Sequence, residues 1–272
     1  MVENTFGERI EKLKKLIEKS NRIVFFGGAG VSTESGIPDF RSVDGLYSQK
    51  YKYPPETILS HTFFMNNTRE FYEFYRNKMI CKKAEPNITH KKLAELESEG
   101  KLSAIVTQNI DGLHQMAGSR NVYELHGSIH RNYCIKCGKS YTLKYLIDNN
   151  MFDKYADGVP RCSSCMEEIS RSTGKQMDCV IKPDVVLYEE GLNDETVSSA
   201  VYAISNADLL IIGGTSLNVY PAAGLLRYFE GSREKIVLIN KTETAFDIQA
   251  GTVFHEGLGE VFSRIRTMPL NK

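Results

Sequence analysis

The sequence predicts an α/β protein: a Rossmann-like, mostly parallel sheet domain with an inserted helical module and a small zinc-binding module. Three observations support this fold class. Short apolar runs alternate with segments of helical periodicity, which is typical of a parallel sheet covered by helices. One intervening segment is helical and rich in aromatic residues, and another carries two Cys-x-x-Cys pairs. A chain of 272 residues has room for one large domain with such insertions.

Composition and charge disfavour some classes of function. The chain has 34 basic and 34 acidic residues, so no net charge attracts it to nucleic acid or to membrane surfaces. The N-terminus lacks the apolar core of a signal peptide, and no apolar run approaches the roughly 20 residues that span a bilayer. We therefore expect a soluble, cytoplasmic protein.

The first two predicted elements are an amphipathic helix and a strand that enters a glycine loop. The helix, "GERIEKLKKLIEKS", has apolar residues at helical spacing: Phe6, Ile10, Leu13 and Ile17. The strand "RIVFFG" leads into "GAGVSTESGIPDFR" (28–41). A dinucleotide-binding dehydrogenase would continue into a helix and reach an acidic residue about 20 residues on. Here Pro38 interrupts any helix, so the pattern predicts a phosphate-binding turn followed by a loop.

Five apolar runs are predicted strands, and each ends in a polar or glycine-rich cluster. The runs cover 22–27, 103–108, 121–125, 208–214 and 235–240. The clusters after them are Gly28-Ala29-Gly30, Gln108-Asn109-Ile110-Asp111, His126-Gly127, Thr215-Ser216 and Asn240. Because open α/β sheets bind ligands at the carboxyl ends of their strands, these clusters are predicted to line one crevice. Each cluster alone also fits a tight turn, a helix cap or a buried structural histidine.

Two insertions interrupt the predicted sheet domain. The domain is assigned to residues 1–42, 91–127 and 180–272, the helical module with its cofactor-binding loop to 43–90, and the zinc module to 128–179. In the helical module, "TREFYEFYRNKM" places aromatic and apolar residues at helical spacing, a pattern more typical of a core than of a cofactor site. The substrate crevice is expected between the domains.

Four of the six cysteines form two pairs, Cys134-x2-Cys137 and Cys162-x2-Cys165. Four thiolates can converge tetrahedrally on one Zn ion, and the interval between the pairs is close to that of zinc ribbons. Two disulfides are the alternative, which the missing secretion signal disfavours. Four cysteines leave no open position for water, so the predicted zinc is structural.

Several motifs follow one another along nearly the whole chain: "GAGVSTESGIPDFR", "TQNIDGLH", "ELHG", the two cysteine pairs, "KPDVVLYEE", "GTSLNVYPAAG" and "LIN". This ordered set resembles the sirtuins, the NAD-dependent protein lysine deacylases. The resemblance implies NAD as cofactor, one structural zinc per chain and acylated lysine in proteins or peptides as substrate. It also implies that the interrupted loop closes over the nicotinamide ribose, where the family cleaves NAD. The expected products are lysine, nicotinamide and O-acetyl-ADP-ribose.

The resemblance also implies roles for individual residues. His126 is the expected general base on the ribose hydroxyls, with Asn109 as a second catalytic residue that positions the ribose and a water. Asp111 and Ile110 correspond to the nicotinamide pocket, and Asn240 to the partner of the adenosine ribose. The expected cofactor-binding set is Gly28, Ala29, Gly30, Thr33, Asp39, Phe40, Arg41, Gln108, Asn109, Ile110, Asp111, His126, Gly214, Thr215, Ser216 and Asn240.

The predicted strand "DVVLYE" is expected to pair with the substrate backbone, and Phe40, Val186 and Tyr188 to line the acyl-lysine tunnel. Two positions depart from the family pattern: Glu189 stands where most relatives have Gly, and Gly27 replaces a common Thr. Glu189 is therefore expected beside the substrate peptide.

Three alternatives to a deacetylase remain open on the sequence alone. An ADP-ribosyltransferase uses the same cleavage of NAD, a non-catalytic NAD sensor binds without releasing nicotinamide, and a zinc-ribbon protein binds nucleic acid. Retention of His126 and of the tunnel residues favours deacylation, and the zero net charge opposes nucleic-acid binding.

Overall fold

The computed structural model describes residues 5–39, 45, 51–81, 83–170 and 179–267, and within them two sheets. The larger sheet has six strands in the order β3-β2-β1-β7-β8-β9, and every pair of neighbours is parallel. Its strands are β1 (Ile23–Gly27), β2 (Leu102–Thr107), β3 (Val122–Glu124), β7 (Leu209–Gly213), β8 (Ile236–Ile239) and β9 (Thr252–Phe254). The smaller sheet is antiparallel, in the order β5-β4-β6, and consists of β4 (Gly127–Cys134), β5 (Ser140–Thr142) and β6 (Ile181–Val185).

Helices cover both faces of the parallel sheet and also form much of the remaining described structure. They are α1 (Phe6–Lys19), α2 (Pro55–Ile58), α3 (His61–Asn66), α4 (Thr68–Phe74), α5 (Ile88–Ser98), α6 (Leu113–Met116), α7 (Leu143–Asp148), α8 (Ser163–Ser170), α9 (Asp194–Ser205) and α10 (Leu258–Ser263). Helix α4 continues directly into a π-helical turn, Tyr75–Met79. Short 3-10 turns cover Ala29–Val31, Thr33–Ser35, Ala222–Tyr228, Arg233–Lys235 and Asp247–Gln249. Among the residues described, none of the helices has the length and apolar character that a membrane span requires.

The predicted parallel strands are all present. Strands β1 and β7 are buried over their entire length because both sheet faces are covered, and this explains their unbroken apolar runs. Ile10 and Leu13 of α1 pack on one face with residues of α5 and α10. Ala200 and Ile204 of α9 pack on the other face with the 222–228 turn. The α/β fold class with a Rossmann-like sheet is therefore confirmed.

In the described part of the glycine loop after β1, residues 28–39, no α-helix is present. Two 3-10 turns follow the strand, and Gly36 ends the second of them with φ +82°. That left-handed conformation suits glycine, and Pro38 follows two residues later. The predicted interruption of the helix is therefore confirmed.

The helical segment and the cysteine-containing segment share one hydrophobic core. It joins Phe71, Tyr72 and Tyr75 to Phe152, to three of the paired cysteines and to residues of β6. Strand β6 pairs with β4 rather than with the parallel sheet, although the sequence analysis assigned residues from 180 onward to the sheet domain. The domain boundaries themselves stay a prediction.

Candidate active site

A crevice of about 1270 Å³ lies along the carboxyl ends of the parallel strands, between the sheet and the smaller module. The strand-end clusters predicted to meet do meet here. The crevice is lined by thirteen of the predicted cofactor residues, Ala29, Gly30, Thr33, Asp39, Gln108, Asn109, Ile110, Asp111, His126, Gly214, Thr215, Ser216 and Asn240, and by Val186, Tyr188 and Glu189 of the predicted substrate wall. Phe40 and Arg41 lie outside the described residues.

The glycines of the loop allow two strand ends to touch. A Cβ atom on Gly30 would lie 2.8 Å from the Gly214 Cα, and one on Gly28 would lie 2.8 Å from the Thr215 Cβ. The N–H groups of Gly28 and Gly30 donate to the carbonyl oxygens of Gly213 and Gly214 at 3.2 and 2.8 Å. These two N–H groups are thus used inside the fold. The glycines allow close backbone approach between the two strand ends.

A buried hydrogen-bond chain joins the glycine loop to the end of β2. The Ser32 Oγ donates to the Asp111 Oδ2 at 2.6 Å, and the Asn109 Nδ2 donates to the Ser32 Oγ at 3.0 Å. The Asp111 Oδ1 accepts from the Leu113 N–H at 2.9 Å. Ser32 is 1% exposed and was not among the predicted site residues. It fixes the orientation of both Asn109 and Asp111, two of the residues predicted to contact the ribose and nicotinamide.

Gln108 keeps a donor available in the crevice. Its side-chain oxygen accepts from the Thr215 Oγ1 at 3.2 Å, and its backbone N–H donates to the Gly27 carbonyl at 2.9 Å. Its buried Nε2 has no partner among the described residues. A buried amide N–H₂ is costly to leave unpaired, so this donor fits a polar ligand such as the hydroxyl or phosphate groups of NAD.

His126 lies at the end of β3 with one ring nitrogen fixed. Its Nδ1 is 3.0 Å from the Gln108 carbonyl oxygen, which can only accept, so Nδ1 carries the proton. Nε2 is then the unprotonated nitrogen and is available as a base. Burial lowers the pKa of His126, opposed in part by the bond to the Gln108 carbonyl. The ring is therefore neutral near pH 7, as a general base must be.

Asn240 ends β8 and stands at the rim of the crevice. Its Nδ2 donates to the Thr242 carbonyl at 2.7 Å, and its backbone carbonyl accepts from the His255 ring at 2.9 Å. The second His255 nitrogen lies 3.1 Å from the Asp247 carboxylate. Asn240 is thus held between two loops, with its backbone fixed from behind.

The wall opposite the glycine loop is the segment that follows β6. The strand ends at Val185, so the prediction of a strand over the whole of "DVVLYE" (184–189) is wrong beyond that residue. The Val186 N–H donates to the His126 carbonyl at 3.0 Å, which places this wall beside the candidate base. Further along, the Tyr188 N–H donates to the Leu59 carbonyl, and the His61 N–H donates to the Tyr188 carbonyl, both at 2.9 Å. The wall therefore bridges His126 and the start of α3.

Four cysteines converge as the sequence predicts. Their sulfur atoms all lie within 4.8 Å of one another, and the pairs Cys134–Cys165 and Cys137–Cys162 are 3.8 and 3.9 Å apart. Four sulfurs about 2.3 Å from one tetrahedral zinc ion are about 3.8 Å apart, so the cluster fits zinc. The distances exclude disulfides in this structure. Cys137 is exposed and the other three are buried.

Tyr72 and Arg76 point in different directions from the aromatic helix. Tyr72 is buried and its hydroxyl donates to the Ile181 carbonyl. Arg76 pairs with the Asp153 carboxylate at 2.7 Å and donates to the Phe152 carbonyl at 3.3 Å. Tyr75, three residues after Tyr72, is also buried in the shared core. Neither Tyr72 nor Arg76 lines the crevice, so the helix does not place a tyrosine hydroxyl and a guanidinium group together there.

Comparison with known proteins decides the family. The family model described as "Sir2 family" matches residues 28–221. A protein of Clostridium acetobutylicum named NAD-dependent protein deacetylase is 56% identical over 260 residues, covering 95% of this chain and 98% of the relative. The chain belongs to the Sir2 family. A second deacetylase of this name, from Clostridium tetani, is 51% identical and covers 94% of this chain and 96% of the relative.

Solved Sir2 structures share the fold over nearly the whole chain. A Sir2 complex with a p53 peptide and NAD+ has a TM-score of 0.78 at 35% identity, covering 94% of this chain and 96% of that one. A Sir2 structure bound to acetylated peptide has a TM-score of 0.79 at 34% identity, with the same coverage. The sirtuin resemblance drawn from the motifs is therefore confirmed, and this Sir2 chain places its strand-end motifs around one crevice.

Proposed function

We propose that this chain is an NAD-dependent protein lysine deacetylase. It converts acetyl-lysine, NAD and water into lysine, nicotinamide and O-acetyl-ADP-ribose. The observation that carries the proposal is His126: its Nδ1 is committed to the Gln108 carbonyl, which leaves Nε2 as a base in the crevice. The proposal is supported by relatives named NAD-dependent protein deacetylase at 50–56% identity.

We propose that the crevice residues hold NAD along the strand ends. Asn240 binds the adenosine ribose, Thr215 and Ser216 lie at the phosphates, and Asp111 with Ile110 binds the nicotinamide carboxamide. Bound NAD supplies an anomeric carbon that bears nicotinamide as its leaving group. Asn109 and Gln108 orient the ribose, and Ser32 keeps Asn109 and Asp111 in place through its two hydrogen bonds.

His126 acts as a general base: it accepts a proton and forms no covalent bond with the substrate. Its Nε2 accepts a proton from a ribose hydroxyl group placed beside it. The imidazolium that forms keeps its Nδ1–H bond to the Gln108 carbonyl, which favours the cation. Partial burial of the ring lowers its pKa and keeps it neutral before the transfer. The chain thus supplies a correctly protonated and oriented base.

The substrate peptide is proposed to lie along the segment after β6. Val186 and Tyr188 form the wall of the acyl-lysine site next to His126, and the peptide backbone pairs with this segment by β-augmentation. Main-chain bonds give affinity with little dependence on sequence. The zinc is structural, because four cysteine ligands leave no position for a reacting group.

We also propose the cytoplasm as the location of this protein. The six cysteines of the structure are free, and four of them are arranged for a metal rather than paired as disulfides. Such an arrangement suits a reducing compartment.

One assay tests the proposed reaction. Purified protein with NAD and an acetyl-lysine peptide is expected to release nicotinamide and O-acetyl-ADP-ribose in equal amounts, measured by mass spectrometry. The matched control is the same peptide with unmodified lysine, which should release neither product. A mass increase of ADP-ribose on the peptide would indicate ADP-ribosyl transfer instead, and NAD binding without release of nicotinamide would indicate a sensor.

The acyl group removed is expected to be neutral. A buried succinyl carboxylate needs a cationic or hydrogen-bonding partner, because an unpaired buried charge is costly. Arg76 is engaged with Asp153 and Phe152, and Tyr72 and Tyr75 are buried in the core. On one peptide sequence, kcat/KM for acetyl-lysine should exceed that for succinyl-lysine by at least about tenfold. A succinyl value equal to the acetyl value would contradict this prediction.

A further inference from the structure

Glu189 occupies a backbone position that favours glycine. Its φ is +77°, in the left-handed region where side chains other than Gly, Asn and Asp are uncommon. The residue lies on the exposed edge of the crevice, directly after Tyr188. A long charged side chain in this conformation raises the energy of the backbone. The contacts that Glu189 makes must therefore offset this cost.

The Glu189 carboxylate is fixed in position by the next helix. Its Oε2 accepts from the Thr62 N–H at 2.8 Å, in the first turn of α3. Hydrogen bonds from Thr62, first from its side chain and then from its N–H, lower the pKa of Glu189, and nearby His61 adds to the effect. An ionised group is thus held at the edge of the crevice in a single orientation before any peptide arrives, which reduces the entropy cost of binding it.

The neighbouring Glu190 differs from Glu189 because the Lys182 ammonium balances its negative charge. The Glu190 carboxylate lies 3.1 Å from the Lys182 ammonium and 2.9 Å from the His61 ring, and it also accepts from the Leu187 N–H. Glu189 forms no ion pair with a Lys or Arg among the described residues. The surplus negative charge on this edge therefore belongs to Glu189.

Two exposed aromatic rings border the same crevice. Tyr188 is 41% exposed and Tyr220 is 75% exposed, and both line it. Aromatic faces attract guanidinium and ammonium groups that lie within about 6 Å of the ring. A fixed carboxylate with exposed tyrosine rings matches a basic side chain, and disfavours an acidic one.

We propose that Glu189 selects substrates that carry Arg or Lys near the acetyl-lysine. The inference rests on the proposed function and names the class of peptide that the same site prefers. Val186 is bonded to His126 and so marks the reacting position, and Glu189 lies three residues beyond it. A peptide paired as a strand advances about 3.3 Å per residue, and the wall, which turns at Glu189, covers no more than this. The selected basic residue is therefore within about three positions of the acetyl-lysine.

The test is a peptide series with one variable residue. Acetyl-lysine peptides of neutral background carry Arg, Gln or Glu at each of the three positions on either side, and kcat/KM is measured by release of nicotinamide. At one or more positions, Arg should exceed Gln by roughly threefold to fivefold, as for a partly exposed ion pair, and Glu should be worse than Gln. The gain should lie in KM and should diminish at 0.5 M salt.

Two variants assign the preference to this residue. Glu189→Gln retains an oxygen for the Thr62 N–H and removes the charge, so the Arg-to-Gln ratio should fall to about one. Glu189→Gly, which suits the backbone conformation, should do the same. Glu195→Gln, an exposed acid on the first turn of α9, should leave activity and the ratio unchanged.

Three results would overturn the inference. If the unaltered protein deacetylates all peptides with equal kcat/KM, Glu189 does not select the substrate. That result would leave the proposed function unaffected. An Arg preference that persists in both Glu189 variants assigns it to another residue. Absence of nicotinamide release from every peptide contradicts the proposed function, and the inference with it.

Discussion

Replacement of His126 by alanine is expected to lower the rate of deacetylation by roughly 100-fold to 10,000-fold, the range for loss of a general base. The imidazole is held by one bond, from Nδ1 to the Gln108 carbonyl. Its removal leaves the glycine loop, the Ser32 chain and the strand ends untouched. NAD affinity, measured by isothermal titration calorimetry, and the thermal midpoint should therefore change little.

The pH dependence of the unaltered protein tests the same assignment. Burial lowers the pKa of His126, and the base works in its neutral form. Activity should therefore be constant from pH 7 to 8 and fall on acidification, with the midpoint of kcat/KM below the ordinary histidine value of about 6.5. A midpoint above that value would contradict the burial argument.

His126→Asn is the matched control for the position of the ring. An asparagine amide can donate to the Gln108 carbonyl as Nδ1 does, yet it has no basic nitrogen. It should be as inactive as His126→Ala. Near-normal turnover in either variant would show that another group takes the proton.

The central strands of the parallel sheet could be predicted because a simple physical rule sets their composition. Strands β1 and β7 lie in the middle of the sheet, are covered on both faces and are therefore apolar at every position. Strand β9, at the sheet edge, has only three residues and was not predicted. The antiparallel sheet was not predicted either, because β6 contains Pro183 and the pairing of β4 shifts register between Ser128 and Asn132.

The residues of the crevice could be predicted as a set, since the carboxyl ends of parallel strands meet at one edge. The partners within the set could not, because they depend on contacts between distant segments. Ser32 is one small polar residue in a glycine-rich loop, and nothing in its neighbours reveals the bonds to Asn109 and Asp111. Likewise the motif does not show that Gly213 and Gly214 occupy two N–H groups of the loop.

Loss of one zinc ligand is expected to destabilise the protein and reduce its activity together. Cys165 is buried in the core shared by the helical and cysteine-containing segments. Metal binding is coupled to folding in such sites, so Cys165→Ser should abolish the stoichiometric zinc and lower the thermal midpoint by at least about 10 °C. Zinc is measured by plasma mass spectrometry and unfolding by calorimetry.

Because Cys137 is exposed, its replacement distinguishes the effect of losing zinc from the effect of losing core packing. Cys137→Ser removes a ligand and barely changes the core, because this side chain is exposed. It should lose zinc and stability as Cys165→Ser does. Cys81→Ser, which lies outside the cluster, should retain one zinc per chain. If Cys137→Ser kept full stability without zinc, the metal would have no structural role.

Activity should fall with the zinc because the antiparallel sheet connects the ligand Cys134 to His126 and to the substrate wall. Strand β4 begins directly after His126 and ends at the ligand Cys134. A Cβ atom on Gly127 would lie 1.9 Å from the Asp184 carbonyl, so the start of β4 is pressed against the end of β6. Strand β6 then leads to Val186, whose N–H bonds the His126 carbonyl. Without zinc, β4 is no longer held at Cys134, and the spacing between His126 and the substrate wall is lost.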